Sequence, residues 1–341
     1  MRILYGIQGT GNGHISRART FLPLLEKVAE VDVLVSGTSS EVKLGRQVNY
    51  QVHGLGYTFG KNGGIDYIDS LRKFKPLRLL RDIRTLPVHS YDLIISDFEP
   101  ITSRAAMRTG RMCISLSHQA AFLSPKSPRP KPRNILGEYI FHRYAPGSNY
   151  IGFHYQRYDD TIFNPVISKQ IRDMIHKNHP QGGHVTVYLP SYDDRMLTDL
   201  FMQIPRVEWQ VFSKNAQRPY QTGNVKVRPV DHDAYVSSLA GCQWLVCGAG
   251  FEAPSEGLFL GKAMLAIPMV GQYEQQCNGE ALRQLGVSVR RRLDKGSVGY
   301  LEDWLDKAVP VHIPYEDQSD SVVARILNLY EMGISGTRFA M

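Results

Sequence analysis

An imidazole and a carboxylate meeting at one end of a parallel sheet can move a proton, and two segments of the sequence supply such a pair. His14 closes the run Gln8-Gly9-Thr10-Gly11-Asn12-Gly13, which follows the apolar segment Ile3–Ile7. Histidine titrates near neutrality, which suits general-base work. The segment Leu93-Ile94-Ile95-Ser96 ends in Asp97, and Glu99 stands two residues on. In a doubly wound sheet of strand order 3-2-1-4-5, the strand before His14 lies beside the strand that ends in Asp97. Either Asp97 or Glu99 is then placed to orient the imidazole and stabilise its cation. Glu99 precedes Pro100 and also suits the first turn of a helix. His14 itself has a second reading, a side chain that caps or packs a helix start. His118, in SLSHQAAF, follows the fifth strand and faces the same cleft, although ordinary loop polarity accounts for it more simply.

The glycines around His14 do not make a dinucleotide cradle. That fingerprint needs G-x-G-x-x-G and an acid at the end of the second strand. After Gly9 and Gly11 the third position is His14, and Asp32 lies at the wrong end of the second strand. Gly11, Asn12 and Gly13 are expected instead to let the chain turn sharply and to leave room for a substrate that accepts a group.

A second constellation spans residues 247–278, CGAGFEAPSEGLFLGKAMLAIPMVGQYEQQCN. The pattern predicts a strand ending near Cys247, a glycine turn, a helix over 252–260 stopped by Gly261, and a further strand ending at Pro268. A glycine turn that opens a helix presents free N–H groups and the positive end of the dipole to an anion, and a diphosphate fits. Glu256, one turn inside that helix, suits ribose hydroxyls. The amides of Gln275 and Gln276 suit sugar hydroxyls.

The elements that position these residues follow one rhythm. Short apolar runs near 2–7, 31–35, 48–52, 93–97 and 112–116 alternate with amphipathic runs near 14–29, 39–46, 66–86 and 100–109. The rhythm restarts with strands near 185–189, 207–212, 225–228, 243–247 and 263–267. This pattern predicts an α/β fold of two doubly wound domains facing across a cleft. The expected division is 1–160, then 161–317, then a last helix in 318–341 that packs back on the first domain, with the connection at 164–174.

At 341 residues the chain is long enough for two such domains. Cys113, Cys242, Cys247 and Cys277 form no metal spacing, so buried reduced thiols, no metal and a cytoplasmic location are expected. The net charge is +8, part of it in PKSPRPKPR at 125–133, where four prolines forbid regular structure and predict an exposed basic loop. That loop is either a solvated connection or a dock for anionic lipid. No nucleic-acid module accompanies the charge.

GTGNGHISRA at 9–18 and GFEAPSEGLFLGKAMLAIP with QYEQQCN at 250–278 resemble the GT-B glycosyltransferases of the inverting branch. That branch includes the peptidoglycan lipid N-acetylglucosaminyltransferase and the UDP-glycosyltransferases. The resemblance implies transfer of a sugar from a UDP-linked donor to an acceptor hydroxyl, lipid-linked or part of a cell-envelope glycan, with no cofactor beyond the donor. It implies that Gly250 and Phe251 offer N–H groups to the diphosphate, that Glu256 binds ribose, and that Gln275 and Gln276 contact the sugar. It further implies that Val230 reads the base, that Ser191 adds a donor contact, and that His14 is the base near the acceptor. Retaining relatives carry a second glutamate eight residues before the ribose glutamate; Gly248 stands there, which implies inversion. Lys262 departs from the family's small residue after Gly261. A UDP-sugar 2-epimerase and a non-catalytic nucleotide-sugar binder share the architecture and stand as alternatives.

Overall fold

The computed structural model describes residues 1–9, 12–37, 44–53, 58–59, 65–66, 75–175 and 182–338. In the first half, strands β1 (Arg2–Gln8), β2 (Glu30–Ser36) and β3 (Tyr50–Val52) come first. The short strands β4 (Thr58–Phe59) and β5 (Ile65–Asp66) pair with each other. Then come β6 (Leu93–Asp97), β7 (Cys113–Ser117), β8 (Asn149–Phe153) and β9 (Ile162–Phe163). With the β4–β5 pair set aside, one parallel sheet runs β3-β2-β1-β6-β7-β8-β9, which opens with the expected 3-2-1-4-5 order. β1 is buried from Ile3 to Gln8, as an apolar strand covered by helices on both faces must be.

The second half repeats the plan. Its strands are β10 (His184–Tyr188), β11 (Glu208–Ser213), β12 (Tyr220–Thr222), β13 (Val225–Pro229), β14 (Trp244–Gly248), β15 (Ala263–Ile267) and β16 (Ser288–Val289). They order as β12-β13-β11-β10-β14-β15-β16, with only β12 antiparallel. The first sheet reaches Phe163, a little past residue 160. The last helix, Ser319–Arg338, lies against helix Asn12–Leu25 of the first half, with Val322 and Ile326 in the same core as Phe21 and Leu22. That core is continuous from β1 to Phe251 and Leu258, so the two halves share buried surface.

Three local expectations change. Residues 39–43 of the expected 39–46 helix lie outside the described residues, and Leu44–Arg46 are not helical. Of the expected 66–86 helix, residues 67–74 lie outside the described residues, Ile65–Asp66 is a strand, and Pro76–Thr85 is helical, opened by Pro76 at a position where a missing N–H costs nothing. The basic loop is only partly exposed. Ser127 and Pro128 are buried, and Arg129 donates to Glu138, to the Phe122 carbonyl and to the Ser127 carbonyl while lying over the Phe122 and Phe141 rings. Helix Ile135–Arg143, capped by Asn134, follows this strut without a strong periodic signal in the sequence. All four cysteines are unpaired and buried.

Candidate functional site

The β1–β6 register sets Ile7 opposite Asp97, so the chain leaving β1 passes the Asp97 carboxylate before helix Asn12–Leu25 begins. His14 and Arg17, three apart on that helix, both turn to it. His14 Nδ1 lies 2.7 Å from Asp97 Oδ1. Arg17 donates from Nε to Oδ2 and from Nη2 to Oδ1, both at 2.8 Å, a two-pronged contact that fixes the carboxylate plane. Burial alone would raise the Asp97 carboxyl, but Arg17 and His14 beside it hold it below the usual carboxylate range. An ionised carboxylate only accepts, so His14 donates through Nδ1 and keeps its lone pair on Nε2, the form a general base needs.

Glu99 does not share this role. Phe98 between the two acids adopts φ 52°, a left-handed conformation that turns the chain. Residues two apart on an extended strand share a face; the turn at Phe98 sends Asp97 to His14 and Glu99 away. Glu99 accepts from the Ile101 and Thr102 backbone N–H groups at 2.9 and 2.7 Å and from the Thr102 hydroxyl. It caps helix Pro100–Thr109, and burial raises its carboxyl against those bonds.

Across the cleft, helix Glu252–Phe259 starts at Phe251 without a side-chain cap. The helices that begin after Glu99, Asn134, Ser168, Asp193 and Asp231 are capped by those side chains, and those that begin after Lys75, Gln272 and Ser297 are not. The uncapped start at Phe251 adjoins a cavity of about 830 Å³ between the halves, lined by Asn12, Tyr188, Val230, Tyr235, Glu252 and Glu256 among others. Burial pushes the Glu256 carboxyl up to about 8, with Glu252 adding to the shift and Tyr235 opposing it. Burial also pushes Glu252 up to about 7, with Arg17 and His14 pulling it back.

Gly13 takes a different part from the one expected. Gly11 lies outside the described residues. A Cβ on Gly13 would sit 2.9 Å from Glu252 Cγ and Oε1, so the room Gly13 leaves is filled by Glu252 rather than left for an acceptor. Asn12 opens the helix and faces the cavity.

His118 is not in the open cleft. It is buried, with Nδ1 2.7 Å from the Phe153 carbonyl and Nε2 2.8 Å from Asn278 Oδ1. Its ring stacks on Phe251 at 3.8 Å and 8°. Burial lowers its pKa, with Glu274 opposing. It joins the halves together with the Tyr155 hydroxyl, which donates to the Gly250 carbonyl, and the Tyr273 hydroxyl, which donates to Glu138. Gln275 accepts from the Met269 N–H beside Gly248, and Gln276 lines a second cavity of about 620 Å³ with Lys131, Arg133 and Arg291. Ser191 is nearly buried and lines neither of these two cavities.

Arg17, Glu252 and Asn278 are the site residues the sequence did not single out. Arg17 sits inside the GHISRA run, and its helical spacing from His14 is the signal that could have found it. Lys262 also has a physical account: its buried Nζ donates to the Ala240 and Cys242 carbonyls at 2.8 Å, satisfying the C-terminal end of helix His232–Gly241. Among the described residues, no three His, Cys, Asp or Glu side chains gather as a metal-ligand set.

A family model described as glycosyl transferase family 1 matches residues 1–310. A sequence search of curated proteins returned no match. Among solved structures, the spinosyn forosaminyltransferase SpnP is 14% identical at TM-score 0.57, over 97% of this chain and 95% of that one. MurG of Acinetobacter baumannii is 12% identical at 0.55, over 96% and 99%. UGT89C1 of Arabidopsis thaliana, complexed with UDP, is 14% identical at 0.55, over 95% and 94%. At these identities the likeness is one of fold.

Proposed function

The chain belongs to glycosyl transferase family 1 and has the GT-B fold, and from that premise we propose that it moves a sugar from a UDP-linked donor to an acceptor hydroxyl with inversion. One observation carries this reading: helix Glu252–Phe259, uncapped at its start, lines one cavity with Glu252 and Glu256, and Arg17, which holds Asp97 beside His14 on the other half, reaches Glu252. UDP in the Arabidopsis neighbour supports a nucleoside diphosphate as the donor's carrier.

The roles follow from the chemistry. The backbone N–H groups around Gly250 and Phe251 stabilise the leaving diphosphate, with the helix dipole behind them. Glu256 holds the ribose, Val230 presents its backbone to the base, and Gln275, beside Gly248, takes the sugar, while Gln276 lines the other cavity. His14 Nε2 removes the acceptor proton while Asp97 stabilises the imidazolium that forms. Gly248 stands where a retaining relative carries its second glutamate, which supports inversion. Glu256→Ala is expected to weaken UDP binding about 10- to 100-fold, the worth of hydrogen bonds to a carboxyl group. Calorimetric titration checks this, and unchanged affinity removes Glu256 from the ribose.

The acceptor is read as lipid-linked. Lys126, Lys131 and Arg133 are exposed on the proline-rich loop. Beside them Ile135, Leu136 and Tyr139 are 86%, 66% and 63% exposed, an apolar ridge flanked by cations that suits an anionic bilayer surface. No helix among the described residues is long and apolar enough to cross a membrane. Flotation with anionic vesicles is expected to carry the protein, and neutral vesicles to leave it behind. Arg129 is not part of this surface, and Lys131→Glu with Arg133→Glu is expected to abolish flotation.

A further inference from the structure

The contact between the halves at Arg17 goes beyond the roles above, although it rests on the diphosphate assignment. Arg17 gives Nε and Nη2 to Asp97, and its remaining arm, Nη1, reaches across the cleft to Glu252 Oε1 at 3.5 Å. Glu252 is the first residue of the uncapped helix, it fills the room beside Gly13, and it lines the donor cavity. It therefore stands where the diphosphate has to come, holding the one arm of Arg17 not committed to Asp97. A carboxylate at a helix start is favourable by itself, and a phosphate is favourable there for the same reason. Both cannot take the same guanidinium arm, and the carboxylate's charge repels a phosphate at the same helix start.

We propose that Glu252 competes with the donor's diphosphate for Arg17 and for the start of helix Glu252–Phe259, so that donor binding transfers Arg17 Nη1 from Glu252 to a phosphate oxygen. Arg17 then links the two ends of the reaction: it positions Asp97 behind the base and meets the leaving group with its other edge. Glu252 sets how tightly a diphosphate binds and makes that affinity depend on protons. The groups facing it are Arg17 and His14 on the first helix, Asp97 on β6, and Glu256 on its own helix. Burial leaves Glu252 titrating at about 7, so it is neutral and does not compete at mildly acid pH, and it is charged and competes at mildly alkaline pH.

The test is calorimetric titration of UDP and uridine into the wild-type chain and Glu252→Gln from about pH 6 to about pH 8, a window spanning the carboxyl's titration. At the alkaline end Glu252→Gln is expected to bind UDP about tenfold tighter than wild type, within the usual range of coupling between sites. That ratio shrinks toward one at the acid end, and uridine binds both proteins alike. Titration of UDP itself cancels in the ratio; Glu256 titrates against Glu252, so the same ratio is also read in a Glu256→Gln background. Equal UDP affinity in both proteins across the range overturns the role of Glu252 and leaves the diphosphate assignment standing. Failure of both proteins to bind UDP overturns the assignment and this inference together.

Discussion

Arg17→Ala is expected to lower the unfolding free energy by about 3–5 kcal/mol, the cost of leaving a buried charge without its partner. Asp97 is fully buried, and Arg17 supplies two of the charged contacts that keep it ionised there. In the wild-type chain the Asp97 carboxyl sits below its unfolded value, so its contribution is present above the unfolded pKa and lost as pH falls through the folded one. Without Arg17 the burial cost is opposed only by His14, and the carboxyl moves up. The sign then reverses. The variant suffers at neutral pH, where Asp97 must ionise or take up a proton, and suffers less once the unfolded state is protonated too. Urea denaturation at about pH 7 and about pH 4 is expected to show the gap between wild type and variant narrowing in acid. Arg17→Met with Asp97→Asn is expected to recover much of the loss, since the penalty lies in the unpaired charge rather than in lost packing. A gap independent of pH would assign the effect to packing of the arginine stem.

These contacts mark where sequence reading reaches and where it stops. The His14–Asp97 meeting was legible because strand order follows from the α/β rhythm, and strand order alone puts the end of β1 beside the end of β6. The choice between Asp97 and Glu99 was not, because it hangs on the φ of Phe98, a non-glycine residue for which no residue pattern announces a left-handed turn. Arg17 carries no signal of burial in the sequence, because it is buried by a carboxylate that another strand places beneath its helix. Arg129, expected in an exposed basic loop, is instead a cation satisfied by carbonyls that only the folded chain assembles. Gly13 shows the limit most sharply. Its missing side chain makes room for Glu252, a residue of the other half, and the relation between halves is written in neither segment alone.

Asp97→Asn is expected to reduce turnover nearly as far as His14→Ala, although it leaves the imidazole in place. Loss of a positioned general base lowers turnover by about 10²–10⁴, and His14→Ala should fall in that range. In Asp97→Asn the amide can donate to Nδ1, which moves the imidazole proton to Nε2 and leaves no lone pair for the acceptor hydroxyl. The wrong tautomer is as inert as no imidazole. Arg17 also loses the anion it is paired with, so donor KM is read beside turnover in Asp97→Asn. Because the two residues act as one unit, His14→Ala with Asp97→Asn should be little worse than either alone. UDP affinity should stay near wild type in His14→Ala, since His14 is proposed to meet the acceptor hydroxyl and not the donor. Following UDP release from UDP-sugar, with the acceptor or with water in its place, reads these changes as turnover against donor KM. A His14→Ala protein that keeps wild-type turnover would show that another group takes the proton. A variant whose donor KM rises as steeply as turnover falls would place His14 in donor binding instead.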